Sequence, residues 1–179
     1  MLRKTIIRSA VGLALSLTIL ATRASAQTTS GTTLDKANMQ QFFANMGYDI
    51  QKLGDAQYSF TTHPGNYTVT ITAGISSNGQ FLWLSSMLAT LPDAGPLPAD
   101  LLEAALKAND DIGPAALYIR VCPDCAAGSK RQLRMATPLA NHELTPAIVR
   151  RSIDTITQSI SDTSQVWASA GWNPTAVKK

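Results

Sequence analysis

The sequence predicts an α+β protein with an antiparallel five-stranded sheet and helices packed on one face of that sheet. Two observations predict it. Short segments alternate apolar and polar residues and are separated by turn residues, and longer segments repeat apolar residues at helical spacing. The segments follow the order α-β-β-β-α-β-β-α, and strands joined by short turns pair in antiparallel fashion. We expect one sheet face to pack on the helices and the other, rich in threonine, to face water.

A first helix is predicted over residues 34–46. Thr33 is of the type that caps helix N-termini, and Gly47 is of the type that ends helices. The apolar residues in this segment recur at positions i, i+3, i+4 and i+7, which lie on one helical face. They are Met39, Phe42, Phe43 and Met46.

Three strands are predicted to follow, over residues 56–62, 67–73 and 80–88. Residues 63–66 and 76–79 are rich in Gly, Pro, Asn and Ser and predict the two turns between them. The middle strand places Thr68, Thr70 and Thr72 on one face and apolar residues on the other. This alternation is typical of a half-buried strand with a threonine ladder on its outer face.

The second half of the chain predicts a helix, a hairpin and a final helix. Pro98 suits the first turn of a helix, which ends before Asn109. Residues 117–121 and 133–136 alternate as two strands of a hairpin. The last helix starts at Thr145-Pro146, a capping residue followed by proline. Its apolar stripe is long and regular and consists of Val149, Ile153, Ile156, Ile160 and Trp167.

The N-terminus has the three regions of a secretory signal peptide. Three cations precede an uncharged apolar run over residues 9–20, and Ala24-Ser25-Ala26 is an A-x-A cleavage signature. A membrane anchor would need roughly 20 apolar residues, and this run is shorter and followed by Arg23. We therefore expect a periplasmic or secreted protein. The predicted divisions are a signal peptide over 1–26, a disordered leader over 27–33, a single domain over 34–168 and a flexible tail over 169–179.

The net charge of the predicted mature chain argues against binding to nucleic acid through a positive surface. Without residues 1–26, the chain has 11 Lys and Arg against 12 Asp and Glu, so the formal net charge of +3 for the whole chain becomes −1. The mature protein thus has no net positive field for nucleic acid or anionic lipid. The small basic clusters have no interleaved aromatic residues, and no second apolar run predicts a membrane span after cleavage. These clusters are Lys130-Arg131-Arg134 and Arg150-Arg151.

Several segments together resemble the YbjN-like family of the type III secretion chaperone-like fold. They are the strand 80–84 after Asn78-Gly79, and residues 97–109, 113–119, 133–139 and 144–146. The resemblance covers nearly the whole mature chain and consists of packing and turn patterns. It implies a binding or chaperone-like module, often a homodimer, with a protein or peptide client. Type III chaperones are cytosolic, so the predicted export signal argues against a dedicated role in that system.

Cys122 and Cys125 are the strongest local chemical signal. A structural disulfide in an oxidising compartment is the favoured interpretation, and so small a ring contributes about 2 kcal/mol at most. A redox C-x-x-C motif usually has a helix N-terminus directly after its first cysteine, whereas these residues follow a strand. A zinc site would need two more ligands, and the chain has only His63 and His142.

Catalytic and cofactor motifs are incomplete. His142-Glu143 is followed by Pro146 where a zinc-protease motif needs histidine, and Asn78 replaces a glycine that a serine nucleophile elbow needs. We see no phosphate-binding loop and expect no cofactor or metal. The sequence therefore predicts a non-enzymatic binding or chaperone-like module of the bacterial envelope. The alternative is a thiol–disulfide oxidoreductase that uses Cys122 and Cys125.

Overall fold

The computed structural model describes residues 31–64 and 67–169. The predicted signal peptide, residues 27–30 of the predicted leader and residues 170–179 lie outside the described residues. The elements are α1 (Met39–Asn45), β1 (Ile50–Gly54), β2 (Gln57–Thr62), β3 (Val69–Ile75), β4 (Phe81–Leu91), α2 (Ala99–Asp111), β5 (Ala116–Val121), β6 (Arg131–Ala140), α3 (Pro146–Asp162) and α4 (Ser164–Ser169).

The strands form one antiparallel sheet in the order β1-β2-β3-β4-β6-β5, which confirms the α+β class with an antiparallel sheet. The predicted strand count and element order were wrong, because β1 adds a sixth strand between the first helix and β2. Gln51, Lys52 and Leu53 are all exposed, so β1 lacks the alternation that marks a half-buried strand. It is an edge strand that pairs with β2 on one side and ends the sheet on the other.

Helix α1 begins at Met39 rather than at Leu34, and Thr33 does not cap it. A long-range contact holds Leu34 outside the helix. The amide N–H of Leu34 donates to Oδ1 of Asn141 at 2.9 Å, and Nδ2 of Asn141 donates to the Leu34 carbonyl at 2.8 Å. Asn141 thus takes both backbone polar groups of Leu34, which would otherwise enter the helix. The predicted stop is confirmed, since Gly47 follows α1 with a φ of 88°.

The paired backbone starts at Thr32, two residues before the predicted domain boundary. The Thr32 amide donates to the Leu144 carbonyl at 2.8 Å, and the Leu144 amide donates back to the Thr32 carbonyl at 2.9 Å. Thr32 and Thr33, which the prediction placed in the disordered leader, therefore lie against the segment that leads into α3.

The final helix is interrupted, whereas the sequence predicted a continuous one. Its start is confirmed, because Oγ1 of Thr145 accepts the Ile148 amide. The helix ends at Asp162, and α4 follows Thr163. Indole Nε1 of Trp167 donates to the Ile160 carbonyl at 2.7 Å, so the side chain of Trp167 contacts the last turn of α3. No helix in the part of the chain that the structure describes is long and apolar enough to cross a membrane.

The core lies between the helices and one face of the sheet. Apolar helix residues such as Phe43 and Ile156 form a single buried cluster with alternate strand residues such as Ile71, Leu84 and Met135. Burying such a side chain contributes roughly 1.5–3 kcal/mol relative to exposing it. The helices therefore pack on this face. The remaining strand residues point the other way, and we call the surface that they form the open face.

Candidate binding face

The open face has two halves with different chemistry. The polar half, on β1–β3, presents hydroxyl and amide side chains. The apolar half, on β4, β6 and β5, presents large side chains that the core does not use. The polar half comprises Gln51, Ser59, Thr61, Thr70 and Thr72, and the apolar half comprises Phe81, Trp83, Ser85, Met87, Tyr118, Arg120, Gln132, Arg134, Ala136 and Pro138.

The large side chains of the apolar half are substantially exposed. The exposed fractions are 40% for Phe81, 43% for Trp83, 45% for Met87 and 39% for Tyr118. The rings of Phe81 and Trp83 lie 6.5 Å apart. Single exposed apolar residues are common on proteins, whereas grouped ones mark interaction sites. The predicted threonine-rich face towards water therefore describes β2 and β3, and this half departs from it.

The sequence of β4 produces this patch because the strand is apolar on both faces. Leu82 and Leu84 are fully buried in the core, and the residues between and beside them point outward. On β6, small residues lie opposite: Pro138 pairs with Trp83, and Ala136 pairs with Ser85. Since directly opposite side chains are close neighbours in a sheet, these small partners leave the indole of Trp83 uncovered.

Arg134 lies within the apolar half and is only 8% exposed. It is directly opposite Met87 on β4 and Tyr118 on β5. Its Nη1 donates to Oε1 of Gln132 at 3.0 Å, and its Nη2 donates to Oγ of Ser85 at 3.1 Å. Its Nε is buried and has no hydrogen-bond partner. Both acceptors are neutral, so the hydrogen bonds fix the guanidinium in place but leave its charge uncompensated.

No acidic side chain accompanies Arg134. None of the six strands in the described residues contains Asp or Glu. The ion pairs found in residues 31–64 and 67–169 join Lys36 to Asp55 and Lys107 to Glu103, both outside the open face. The exposed Arg120, opposite Gln132, is a diagonal neighbour of Arg134 and adds a second cation. The apolar half therefore combines aromatic surface with unpaired positive charge.

The predicted disulfide residues lie in the loop between β5 and β6. Cys122 and Cys125 are disulfide-bonded, with their Cα atoms 5.4 Å apart. The Cys122 amide donates to the Lys130 carbonyl at 2.7 Å, which continues the hairpin by one pair beyond β5. No helix begins at either cysteine. The bond is compatible with an oxidising compartment.

Asp93 anchors this loop to the segment after β4. Its carboxylate accepts the backbone amide of Gly128, and it also accepts the Lys130 amide at 2.8 Å. These hydrogen bonds, that from Gly128 foremost, hold the pKa of Asp93 below its ordinary value of 3.8. Arg131 supports the same junction, since its Nη1 donates to the Gly95 carbonyl at 2.8 Å. The disulfide loop is thus fixed at the Arg120 end of the apolar half.

The histidines and the second basic cluster lie elsewhere. Nδ1 of His63 is 3.3 Å from Oγ1 of Thr68, and His142 is exposed. Nη2 of Arg150 donates to the Met46 carbonyl at 2.8 Å. Among the described residues, no three His, Cys, Asp or Glu side chains are grouped so that they could hold a metal ion.

A second apolar surface lies between α2 and the edge strand β5. This groove has a volume of about 270 Å³, and its rim includes Leu106, which is 69% exposed. Asn109 closes the strand edge there: its Nδ2 donates to the Leu117 carbonyl at 3.0 Å, and its Oδ1 accepts the Leu117 amide at 2.6 Å. Asn109 therefore occupies backbone groups that an added strand would need.

Comparisons with known proteins leave the family open. No family model matches the chain, and no curated protein matches it. Solved structures with a similar course include the crystal structure of an uncharacterized protein from Methanothermobacter thermautotrophicus, which is 9% identical, with a TM-score of 0.47. The match covers 76% of this chain and 98% of that one. A likeness this low carries no functional argument, and the YbjN-like resemblance stays a prediction.

Proposed function

We propose that this chain is an exported, non-enzymatic binding module that holds an extended segment of a client protein against the apolar half of its open face. The observation that carries the proposal is the set of exposed side chains Phe81, Trp83 and Met87 on β4 and Tyr118 on β5, the two strands that flank β6. The sheet is backed by the core, so these side chains are presented on a rigid surface. The predicted signal peptide and the disulfide support an exported protein.

The energetics of this patch favour a partner. Apolar surface removed from water contributes about 25 cal/mol per Å², and aromatic side chains are frequent anchors of protein interfaces. Leu82 and Leu84 already stabilise β4 from the core side. The outward aromatic residues of the same strand therefore add little to folding, and their surface is available to a client.

An extended protein segment suits the shape of the open face. A small molecule is usually buried over most of its surface in a concave pocket, whereas a sheet face covers only one side of a ligand. A client segment meets this condition, because the rest of the client covers its other side. The edge of β5 is less suitable, since Asn109 already bonds the backbone of Leu117.

Charge argues against self-association through the same face. In a two-fold dimer each surface meets a copy of itself, so Arg120 and Arg134 would be buried against a face that carries the same two cations and no Asp or Glu on its strands. The predicted homodimer therefore needs another surface. The oxidoreductase alternative has no observation in its favour, because Cys122 follows β5 and no helix begins beside it.

Peptide selection followed by calorimetry tests the proposal. Peptides from a random phage-displayed library are selected on the purified protein, synthesised, and titrated into wild type and Trp83→Ser. We expect the substitution to weaken binding at least 10-fold, with thermal denaturation confirming that the variant is folded.

Leu106→Ser is the matched control, since it removes an exposed apolar side chain from α2 instead of the open face. It should leave the affinity within about 2-fold of wild type. Failure to select any peptide, or equal affinity of wild type and Trp83→Ser, would contradict the proposal. A loss confined to Leu106→Ser would move the site to the α2–β5 groove and would also contradict it.

A further inference from the structure

We infer that the client segment presents an acidic side chain to Arg134, with apolar residues on one side of it. This inference rests on the proposed function and names the chemistry of the client. Its basis is a 92%-buried arginine whose hydrogen-bond partners are neutral and which lies in a sheet whose strands contain no acid.

The guanidinium of Arg134 has capacity for a further partner. It has five N–H donors in a planar fork, and the structure uses two of them, towards Gln132 and Ser85. A buried charge is costly unless it is paired, and a carboxylate is the partner that this fork fits best. Since Gln132 and Ser85 are neutral, the counter-charge has to come from outside the sheet.

Neither ion pair in the described residues includes Arg134. Asp93 accepts the backbone amides of Gly128 and Lys130, and the loop that it anchors lies beyond the end of β5. Lys36 and Lys107 pair with Asp55 and Glu103 elsewhere in the described residues. A client carboxylate therefore meets no competing ion pair at Arg134.

The register around Arg134 determines on which side of its acidic residue the client presents apolar residues. Along β6, Ala136 and Pro138 lead from Arg134 towards Trp83, and Gln132 leads the opposite way, towards Arg120. Apolar client residues thus fit on the Trp83 side. Pro138, opposite Trp83, is four residues from Arg134, or roughly 13 Å at about 3.3 Å per strand residue. Alternate residues of an extended client face the same way, so an acid and an apolar anchor four positions apart would meet Arg134 and Trp83.

Synthetic peptides test this arrangement directly. The probe is an octapeptide of threonines with blocked termini, glutamate at position 2 and tryptophan at position 6. The comparison peptide carries glutamine in place of glutamate, and a third peptide moves the tryptophan to position 5. A fourth combines the glutamine with a free carboxyl terminus, so that a terminal carboxylate is distinguished from a side-chain one. Affinities are measured by calorimetry with the whole purified protein.

We expect wild type to bind the glutamate peptide at least 10-fold more tightly than the glutamine peptide and to bind the position-5 peptide more weakly. The glutamate preference should vanish in Arg134→Gln and persist in Arg151→Gln, which removes an exposed arginine of α3. If the glutamine-for-glutamate exchange does not affect binding to wild type, the inference is wrong. It is also wrong if the glutamate peptide does not bind, or if only the peptide with the free carboxyl terminus binds.

These outcomes separate the inference from the proposed function. The peptide exchange on wild type needs no protein variant, so it decides the inference even if Arg134→Gln fails to fold. Equal binding of the glutamate and glutamine peptides, together with a loss in Trp83→Ser, would leave the apolar binding face in place and remove only the carboxylate. Failure of peptide selection against wild type removes the binding face itself.

Discussion

The two halves of the open face share one backbone architecture and differ in side chains. On the polar half, Thr61 pairs with Thr70, and Ser59 pairs with Thr72, which gives a hydroxyl-rich surface suited to water. On the apolar half, Trp83 pairs with Pro138, and Met87 pairs with Arg134. The polar half shows what this sheet needs in order to face solvent. The departure from that pattern on β4, β6 and β5 is therefore not imposed by the fold.

The comparison also separates charge from hydrophobicity. Both halves lie on strands without Asp or Glu. The polar half contains no cation. The apolar half contains two, of which Arg134 is buried and Arg120 is exposed. An aromatic surface alone would indicate contact with any apolar partner. Because the buried charge of Arg134 has no acidic partner in the sheet, we expect a partner that also carries an anionic group.

The largest expected effect contrasts the two faces of β4. Leu84→Ala should lower the free energy of unfolding by about 2–5 kcal/mol, because it leaves a cavity in the core. Trp83→Ala, at the adjacent residue, should cost less than about 1 kcal/mol, because its side chain is not part of the core. Urea denaturation measures both. A loss for Trp83→Ala as large as that for Leu84→Ala would mean that the open aromatic residues serve stability.

An intermediate effect is expected at the disulfide loop. Replacing both Cys122 and Cys125 by serine should lower the free energy of unfolding by about 2 kcal/mol at most, since the closed ring is small. Peptide affinity should stay within about 2-fold, because neither cysteine lies on the open face. Denaturation with and without a reductant measures the stability change in wild type. Loss of peptide binding on reduction would mean that the disulfide loop is part of the binding site, and it would contradict the assignment of binding to the open face alone.

The smallest effect is expected at Asp93. The Gly128 amide lowers the pKa of Asp93 in the folded protein. The ionised carboxylate therefore stabilises the fold at pH values above 3.8, the ordinary pKa of this group. This contribution decreases as the pH falls below 3.8 and through the lower folded-state pKa. Asp93→Asn should therefore be less stable than wild type near neutral pH and approach it in acid. Thermal denaturation from pH 7 to pH 2 measures the difference, and a constant difference would contradict the assignment.

Local sequence patterns predicted most of the fold, and the failures have separate physical causes. Strands β2, β3, β5 and β6 follow from alternation, β4 follows from its continuous apolar run, and the start of α3 follows from capping. Strand β1 does not, because an exposed edge strand such as the one containing Lys52 has no buried face to impose a pattern. The late start of α1 accompanies a local turn that the Asp35 carboxylate closes and a hydrogen bond from Leu34 to Asn141, which is 107 residues away in the chain. Such long-range hydrogen bonds leave no local signal.

The candidate site was only partly visible in the sequence. The continuous apolar run Phe81-Leu82-Trp83-Leu84 indicates a strand that is apolar on both faces, and this signal could have predicted the patch. Arg134 was noted only as one member of a basic cluster. The residues directly opposite it, Met87 and Tyr118, lie on two different strands. Strand order and register determine those neighbours, and a single sequence does not specify them.

Nuclear magnetic resonance tests the difference between the two halves most directly. The blocked glutamate octapeptide is titrated into ¹⁵N-labelled protein, and chemical-shift changes are followed at the indole of Trp83, at the amides of β4, β5 and β6, and at the amides of Thr70 and Thr72. The account predicts saturable shifts at Trp83 and on the three strands of the apolar half, with the two threonines unchanged. Shifts confined to α2 or to the threonines, or no saturable shift at Trp83, would contradict it.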